Sequence, residues 1–196
     1  MSRPASTPPG LRIIAGSWRG RRIPSPVAAD VRPTTDRVRE ALFSMLAARF
    51  GSLEGLTVAD LFAGSGALGL EALSRGAARA IFVDSNRGAG QAIARTLAAF
   101  DATARGTVLT APADRLPPRD TPVDLVLMDP PYGKGLVVPV LAALAEAGWV
   151  GPHSWASVET PREEAVDAAG WDVVHSASYG KSRISLLRPV AADGSC

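Results

Sequence analysis

The tetrapeptide Asp129-Pro130-Pro131-Tyr132 combines a carboxylate, two residues that fix the backbone and an aromatic ring. The mostly apolar run at residues 123–128 precedes it and predicts a buried strand, so the four residues stand where that strand ends. Aspartate followed by proline also forms ordinary turns, but a position directly after an apolar strand favours a binding site. The tetrapeptide therefore indicates chemistry on a planar ring that carries an amine, such as a nucleobase.

An exocyclic amine of a purine is a poor nucleophile because its lone pair is delocalised into the ring. The Asp129 carboxylate and the Pro130 carbonyl can each accept one amine hydrogen, which directs the lone pair toward a methyl group. Pro131 restricts the position of that carbonyl, and Tyr132 is placed to stack on the base. We therefore predict Asp129, Pro130 and Tyr132 as the catalytic residues of a methyl transfer. A base within structured nucleic acid must leave its stack to reach them.

A glycine-rich segment, the glycine loop at residues 62–69, predicts a ligand-binding turn between a strand and a helix. Gly64, Gly66 and Gly69 satisfy the dinucleotide pattern Gly-x-Gly-x-x-Gly, and Asp84 lies 20 residues beyond Gly64. This pattern leaves NAD and S-adenosyl-L-methionine open as ligands, because Asp84 can accept hydrogen bonds from the ribose hydroxyls of either one.

Two features favour S-adenosyl-L-methionine over NAD. Asp60 stands near the end of the predicted strand, where it can meet the ammonium group of this cofactor and would repel a pyrophosphate. The later aspartate-proline-proline-tyrosine motif has no role in hydride transfer. Asp114 follows the third predicted strand, and it either accepts from the adenine amine or caps a helix. The residues predicted to bind the cofactor are Asp60, Phe62, Ala63, Gly64, Ser65, Gly66, Asp84, Ser85, Asp114 and Arg39.

Alternating strand and helix patterns must position these residues. One helix is predicted to begin near Thr35, and two others are predicted at residues 67–75 and 87–100. Strands are predicted at residues 57–62, 79–84, 107–110, 123–128, 154–159, 171–178 and 182–188. Alternation of this kind predicts an α/β fold with a mainly parallel sheet and helices on both faces, ending in an antiparallel hairpin. The four aspartates named above would then project from the carboxyl edge of the sheet, where ligands bind.

The N-terminal segment carries an excess of basic charge. Residues 1–29 contain five arginines and no acid, so they hold +5 in a chain whose net charge is +2, and the remainder holds −3. Residues 12–16 and 21–24 predict a small β-hairpin whose charge suits the phosphates of a nucleic acid, and a solvated tail is the alternative. Trp18 either stacks on a base or packs the hairpin onto the domain. The residues predicted to bind nucleic acid are Arg12, Trp18, Arg19, Arg21, Arg22 and Arg37.

Length and composition exclude several classes of protein. With 196 residues, 46% hydrophobic and 20% charged, the chain is typical of one globular domain. No apolar run approaches the roughly 20 residues of a membrane helix, and the first residues lack the apolar core of a secretory signal, so we expect a cytoplasmic protein with no membrane partner. Cys196 is the one cysteine, and His153 and His175 lack partners at metal-ligand spacing, so no metal site is predicted.

Several segments between residues 11 and 188 carry a family resemblance. They are Arg-Ile-Ile-Ala-Gly at 12–16, Trp-Arg-Gly-Arg at 18–21, Arg-Pro-Thr-Thr-Asp-Arg-Val-Arg-Glu-Ala-Leu-Phe at 32–43, Asp-Leu-Phe-Ala-Gly-Ser-Gly-Ala-Leu-Gly at 60–69, Asp-Pro-Pro-Tyr at 129–132 and Tyr-Gly at 179–180. With these segments the chain resembles the bacterial methyltransferases that modify the N2 amine of a guanine in 16S ribosomal RNA. The glycine loop and the tetrapeptide are shared with other amine methyltransferases, whereas the N-terminal segments are more specific. Ala113 and Ser182 depart from the family pattern, in which glycine and threonine are usual.

The resemblance implies a Rossmann-like class I methyltransferase domain that uses S-adenosyl-L-methionine, with N-terminal arginines that grip RNA. We predict a disordered leader at residues 1–10, the basic hairpin with a linker at 11–33, the methyltransferase domain at 34–189 and a flexible tail at 190–196. The predicted partner is 16S ribosomal RNA within a small-subunit particle, and we expect a monomer. The alternative hypotheses are an adenine-N6 DNA methyltransferase and a non-catalytic RNA-binding assembly factor.

Overall fold

The computed structural model describes residues 11–24 and 36–190. Outside these ranges lie the predicted leader, most of the predicted linker, the threonines predicted to begin the first helix and the predicted tail beyond residue 190. The described residues form one seven-stranded sheet. Its strands are β1 (Thr57–Leu61), β2 (Arg79–Asp84), β3 (Gly106–Thr110), β4 (Leu125–Met128), β5 (Trp155–Pro161), β6 (Trp171–Tyr179) and β7 (Ser182–Pro189).

The strands follow the order β3-β2-β1-β4-β5-β7-β6 across the sheet. Strands β1 to β5 pair in parallel, whereas β7 pairs antiparallel with both β5 and β6. The predicted mainly parallel sheet with a C-terminal antiparallel hairpin is therefore confirmed. The order of the strands reverses between β1 and β4, and ligands of open α/β sheets bind outside the carboxyl ends of the strands at such a switch point.

Helices cover both faces of the sheet. The α-helices of the described ranges are α1 (Asp36–Phe50), α2 (Ala67–Ser74), α3 (Arg87–Ala99) and α4 (Val137–Glu146). Helices α1, α2 and α3 share buried clusters with Phe82 and Leu127, whereas α4 packs with Val83 and Met128. Neighbouring residues of a strand point to opposite faces, so the first three helices lie on one face and α4 on the other.

Helix α4 is not among the elements that the sequence patterns predict. Its residues are almost uniformly apolar, so they show no polar face, and Pro139 interrupts the run. Pro139 lies in the first turn, where the missing N–H removes no helical hydrogen bond, and the helix forms around it. Residues 111–124 hold no helix, so the interpretation of Asp114 as a helix cap is wrong.

In the N-terminal hairpin, residues 11–23, the two arms pair over fewer residues than the predicted strands at 12–16 and 21–24 would. A single antiparallel bridge joins Arg12 and Arg22, and backbone hydrogen bonds of 2.8–3.0 Å flank it on both sides. The side chains of Ile13, Trp18 and Ile23 are buried against α2 and α3. Apolar packing, rather than extended strand pairing, therefore holds the hairpin to the domain.

Two polar residues of α2 fix the hairpin in place. The Glu71 carboxylate is fully buried and accepts hydrogen bonds from the amides of Ile14 (2.7 Å) and Ala15 (2.9 Å). The Ser74 hydroxyl donates to the Ala15 carbonyl at 2.6 Å. At Gly16 a Cβ atom would lie 1.9 Å from the Ser74 carbonyl oxygen, so only glycine permits this approach. The hairpin is therefore docked on the helix that follows the glycine loop.

Candidate active site

Four adjacent strands each place one residue in a row at the carboxyl edge of the sheet. One set of register partners across β2, β1, β4 and β5 is Val83, Leu61, Met128 and Val158. The residues that follow them, in the same order, are Asp84, Phe62, Asp129 and Glu159. Neighbouring strands lie about 4.8 Å apart, so three carboxylates, here called the acidic row, share this edge. Asp84 and Asp129 were predicted to lie here, whereas Glu159 was not singled out.

The glycine loop turns the chain sharply from β1 into α2. Its residues with positive φ, of 61°, 53° and 76°, are Phe62, Gly64 and Gly66. The Gly64 amide donates to Asp84 Oδ2 at 2.8 Å, so one carboxylate of the acidic row fixes the position of the glycine loop. At Gly69 a Cβ atom would lie 2.4 Å from Cε1 of Phe82, so glycine is required for the close packing of α2 on β2.

Asp60 lies inside β1, two residues before the level of the acidic row, and is 1% exposed. Its Oδ2 accepts a hydrogen bond from the Gly69 amide at 2.8 Å. Burial raises the pKa of the Asp60 carboxyl well above its ordinary value, the Gly69 bond opposes this, and the charges of Asp129 and Asp84 raise the pKa further. The Asp60 carboxyl therefore binds the backbone of α2 and has almost no surface, and its contact with a cofactor ammonium group stays a prediction.

A cleft of about 170 Å³, the cofactor cleft, opens at the carboxyl ends of β1, β2 and β3. Its lining includes Phe62, Val83, Asp84, Ser85, Asp114 and Leu136. A largely apolar lining with a few carboxylates suits the nucleoside part of a ligand. Ala63 is buried in the loop beside the cleft and Ser65 is half-buried.

The two acids of the cofactor cleft differ in their surroundings. Asp84 accepts hydrogen bonds from the amides of Gly64 (2.8 Å) and Asn86 (2.7 Å), one on each oxygen. Each oxygen keeps a second lone pair, so Asp84 can still accept from ribose hydroxyls. The Asp114 side chain is 41% exposed and lies 3.8 Å from Arg115. The residues of the cleft therefore fit the nucleoside part of the predicted cofactor.

Tyr132 combines an anchored hydroxyl with an accessible ring. The hydroxyl donates to Glu159 Oε1 at 2.9 Å and lies 3.0 Å from the Ser182 Oγ. Partial burial raises the pKa of Tyr132 to about 12, so the hydroxyl stays protonated at neutral pH. The residue is 44% exposed, which leaves ring surface free for a ligand. A shallow depression, the Tyr132 cavity, is lined by this residue together with Pro130, Glu159 and Leu136.

Two predicted binding residues are buried instead. Arg39 has no exposed surface, and its Nη2 donates to the Arg12 carbonyl (2.5 Å) and to Asp36 (2.9 Å). Burial lowers the pKa of Arg39. Trp18 is 9% exposed and packs edge-on against Phe100, with ring centroids 5.1 Å apart. The interpretations of Arg39 as a cofactor ligand and of Trp18 as a stacking platform are therefore wrong, and Trp18 packs the hairpin onto the domain.

The remaining arginines predicted to bind nucleic acid are exposed. They are Arg12, Arg19, Arg21, Arg22 and Arg37. The turn of the hairpin contacts Ser74, the last residue of α2, where the Ser17 amide donates to the Ser74 carbonyl at 2.8 Å. The eight residues of α2 span about 12 Å, so this turn is one helix length from the glycine loop. A nucleic acid that touches the turn and the acidic row must extend over at least that distance.

Within residues 11–24 and 36–190, no group of three or more histidine, cysteine, aspartate or glutamate side chains is arranged to hold a metal ion. The helices of those ranges are all too short or too polar to cross a bilayer. His153 and His175 are exposed.

The sheet order and the strand-loop-helix turn at β1 define a Rossmann-like methyltransferase domain. The solved structure named "Putative methyltransferase yhhF", from Escherichia coli, superposes with a TM-score of 0.77 at 37% identity, covering 91% of this chain and 97% of that chain. The family model described as "Conserved hypothetical protein 95" matches residues 11–188. The chain belongs to this family.

Curated relatives carry a functional name. The ribosomal RNA small subunit methyltransferase D of Escherichia coli K12 is 39% identical over 165 residues, which cover 83% of this chain and 82% of the relative. The protein of the same name from Haemophilus influenzae is 31% identical over 175 residues, with coverages of 87% and 89%. The recognised resemblance to this methyltransferase family is therefore confirmed.

Proposed function

We propose that this protein transfers a methyl group from S-adenosyl-L-methionine to the exocyclic N2 amine of a guanine in 16S ribosomal RNA. The observation that carries the proposal is the position of Asp129, Pro130 and Tyr132 directly after β4, beside the switch point of the sheet and the cofactor cleft. The name of the curated relatives supports ribosomal RNA as the substrate. Guanine and its N2 amine come from the family resemblance of the sequence.

The cofactor cleft supplies the groups that a nucleoside ligand needs. S-adenosyl-L-methionine contributes a methyl group on a sulfonium sulfur, which is a good leaving group. Asp84 accepts from the ribose hydroxyls, and the exposed Asp114 accepts from the adenine amine. The aromatic ring of Phe62 and the side chain of Leu136 form apolar walls for the base. The residues proposed to bind the cofactor are Phe62, Ala63, Gly64, Ser65, Gly66, Asp84, Ser85 and Asp114.

The tetrapeptide acts on the amine of the target base. Asp129 and the Pro130 carbonyl each accept one amine hydrogen, so that the nitrogen lone pair points at the methyl carbon. The bound cofactor would supply the methyl group and leave as a neutral thioether, and Asp129 would take the proton that the amine releases. Tyr132 stacks on the base, and the bond from its hydroxyl to Glu159 limits rotation of the ring.

Exposed arginines of the N-terminal hairpin and Arg37 are proposed to contact RNA phosphates. Their contribution is independent of sequence, because phosphate contacts position a nucleic acid without reading its bases. The small-subunit particle as substrate, the monomeric state and the cytoplasmic location stay predictions.

The test compares the wild-type protein with Asp129→Asn and Asp129→Ala, using labelled S-adenosyl-L-methionine and small-subunit ribosomal RNA. We expect both variants to lower kcat by about 10²- to 10⁴-fold. Titration calorimetry should give unchanged affinity for S-adenosyl-L-methionine, which shows that the fold and the cleft are intact. Full activity of D129A would refute the mechanism. Binding of NAD by the wild-type protein would support NAD as the ligand. Binding of neither cofactor would support the non-catalytic assembly factor, and methylation of adenine in DNA would support the DNA methyltransferase.

A further inference from the structure

Glu159 occupies the same edge of the sheet as the proposed catalytic aspartate. Because Met128 and Val158 are register partners, Asp129 and Glu159 follow them on neighbouring parallel strands. Their backbones are therefore about 4.8 Å apart at this level. Glu159 is a buried residue within β5, followed in the same strand by Thr160 and Pro161, whereas Asp129 comes directly after the last residue of β4. The two acids are thus backbone neighbours on adjacent strands, and the residues directly after Asp129 line the Tyr132 cavity together with Glu159.

The Glu159 carboxylate is held in place but not saturated. The residue is 9% exposed, and its Oε1 accepts the hydroxyl hydrogen of Tyr132 at 2.9 Å. The hydrogen bonds between described residues include none to its Oε2, and Glu159 is one of the residues that line the Tyr132 cavity. A carboxylate oxygen in this position can accept one hydrogen bond from a ligand that lies against the Tyr132 ring.

The edges of guanine and adenine differ at the atom next to the amine-bearing carbon. Guanine carries a hydrogen on N1 beside its N2 amine, whereas the adenine N1 beside the N6 amine carries only a lone pair. A carboxylate attracts the hydrogen on guanine N1 and repels the lone pair on adenine N1. The tetrapeptide alone does not distinguish the two bases, because both present an exocyclic amine to Asp129 and Pro130.

We propose that Glu159 selects guanine by accepting the N1 hydrogen of the target base while Asp129 and the Pro130 carbonyl hold its N2 amine. This inference rests on the proposed function and identifies the residue that reads the base. Glu159 therefore touches the substrate, and its bond to Tyr132 aligns the stacking ring with the carboxylate that reads the base edge. A residue that only positioned Tyr132 would affect every substrate base equally, which separates the two roles.

The experiment uses two synthetic RNAs that span the modified position once nucleoside mapping has located it. One RNA carries guanine at that position, and the other carries 2-aminopurine, which keeps the N2 amine but has no hydrogen on N1. The proteins compared are the wild type, Glu159→Gln and Tyr132→Phe. Glutamine keeps an oxygen for the Tyr132 hydroxyl, and its amide nitrogen can donate to the bare N1 of 2-aminopurine. Phenylalanine keeps the ring and Glu159 but removes the bond between them.

We expect the wild-type protein to favour guanine over 2-aminopurine by about 10- to 100-fold in kcat/KM, the usual value of one base-edge contact. E159Q should reduce that preference to within about threefold, mainly by losing activity on guanine. Y132F should lower the rates on both RNAs while keeping the preference.

An unchanged preference in E159Q, with activity retained, would overturn the inference and leave the proposed function standing. A wild-type protein that binds S-adenosyl-L-methionine but methylates no guanine in small-subunit RNA would overturn the proposed function and the inference together. Unchanged binding of S-adenosyl-L-methionine by E159Q in calorimetry confirms that the variant is folded.

Discussion

Replacement of Glu71 by glutamine tests how the N-terminal hairpin is held to the domain. The Glu71 carboxylate is buried and receives the amides of Ile14 (2.7 Å) and Ala15 (2.9 Å), one on each oxygen. Glutamine has the same size, but one oxygen becomes an NH₂ group that faces a backbone N–H. A charge-assisted hydrogen bond contributes about 1.5–3 kcal/mol and an unsatisfied buried amide costs about 1–3 kcal/mol. We therefore expect E71Q to destabilise the docked hairpin by about 2–4 kcal/mol.

The assay is native-state amide hydrogen exchange at Ile14 and Ala15. A loss of 2–4 kcal/mol corresponds to exchange about 30- to 1,000-fold faster, if the hairpin opens without global unfolding. Arg75→Lys is the matched control, because it keeps a positive charge beside the buried Glu71 carboxylate and leaves both amide bonds, so exchange at Ile14 and Ala15 should stay near wild-type rates. Exchange at Ile14 and Ala15 that stays at wild-type rates in E71Q would refute the reasoning.

Three further predictions concern the loop, the buried acid and the arginines. Gly69→Ala should cost about 1–3 kcal/mol in urea unfolding, because its Cβ would lie 2.4 Å from the Phe82 ring; wild-type stability would contradict this packing. The raised pKa of Asp60 gives a stabilising contribution that is present below its unfolded pKa of about 3.9 and lost as pH rises through its folded pKa. As pH rises through this range, the D60N variant should therefore lose less free energy of unfolding than the wild-type protein. Urea titrations at several pH values measure this, and equal losses in the two proteins would count against a raised pKa of Asp60. A double variant, R19A with R22A, should reduce the slope of log RNA affinity against log salt concentration by about 2, while the affinity for the cofactor stays unchanged. An unchanged slope would mean that these two arginines of the hairpin do not contact RNA phosphates.

The elements that the sequence predicted well are those with a local signal. Strand β2 is an apolar run that ends at Asp84, β4 is an apolar run that ends immediately before Asp129, and the glycine loop has its own residue pattern. Helix α4 lacks such a signal, because a uniformly apolar segment with a proline in its first turn shows no helical periodicity. Packing against the sheet, rather than local preference, makes it a helix.

The parts of the site that the sequence did not predict depend on residues far apart in the chain. Glu71 meets an amide 57 residues away, and Glu159 meets a hydroxyl 27 residues away. The interpretations of Trp18 and Arg39 failed for a related reason, because residue type does not reveal burial. One sequence signal was available for Glu159, since this acid stands directly after Val158 near the end of a predicted strand, as Asp84 does after Val83.

The central claim is that the edge formed by Asp129, Pro130 and Tyr132 methylates the N2 amine of a guanine. The most direct measurement is nucleoside mass spectrometry of small-subunit ribosomal RNA after reaction with S-adenosyl-L-methionine and either the wild-type protein or D129N. We expect one N2-methylguanosine per RNA with the wild-type protein and almost none with the variant. Methylated adenosine, or equal N2-methylguanosine with both proteins, would contradict it.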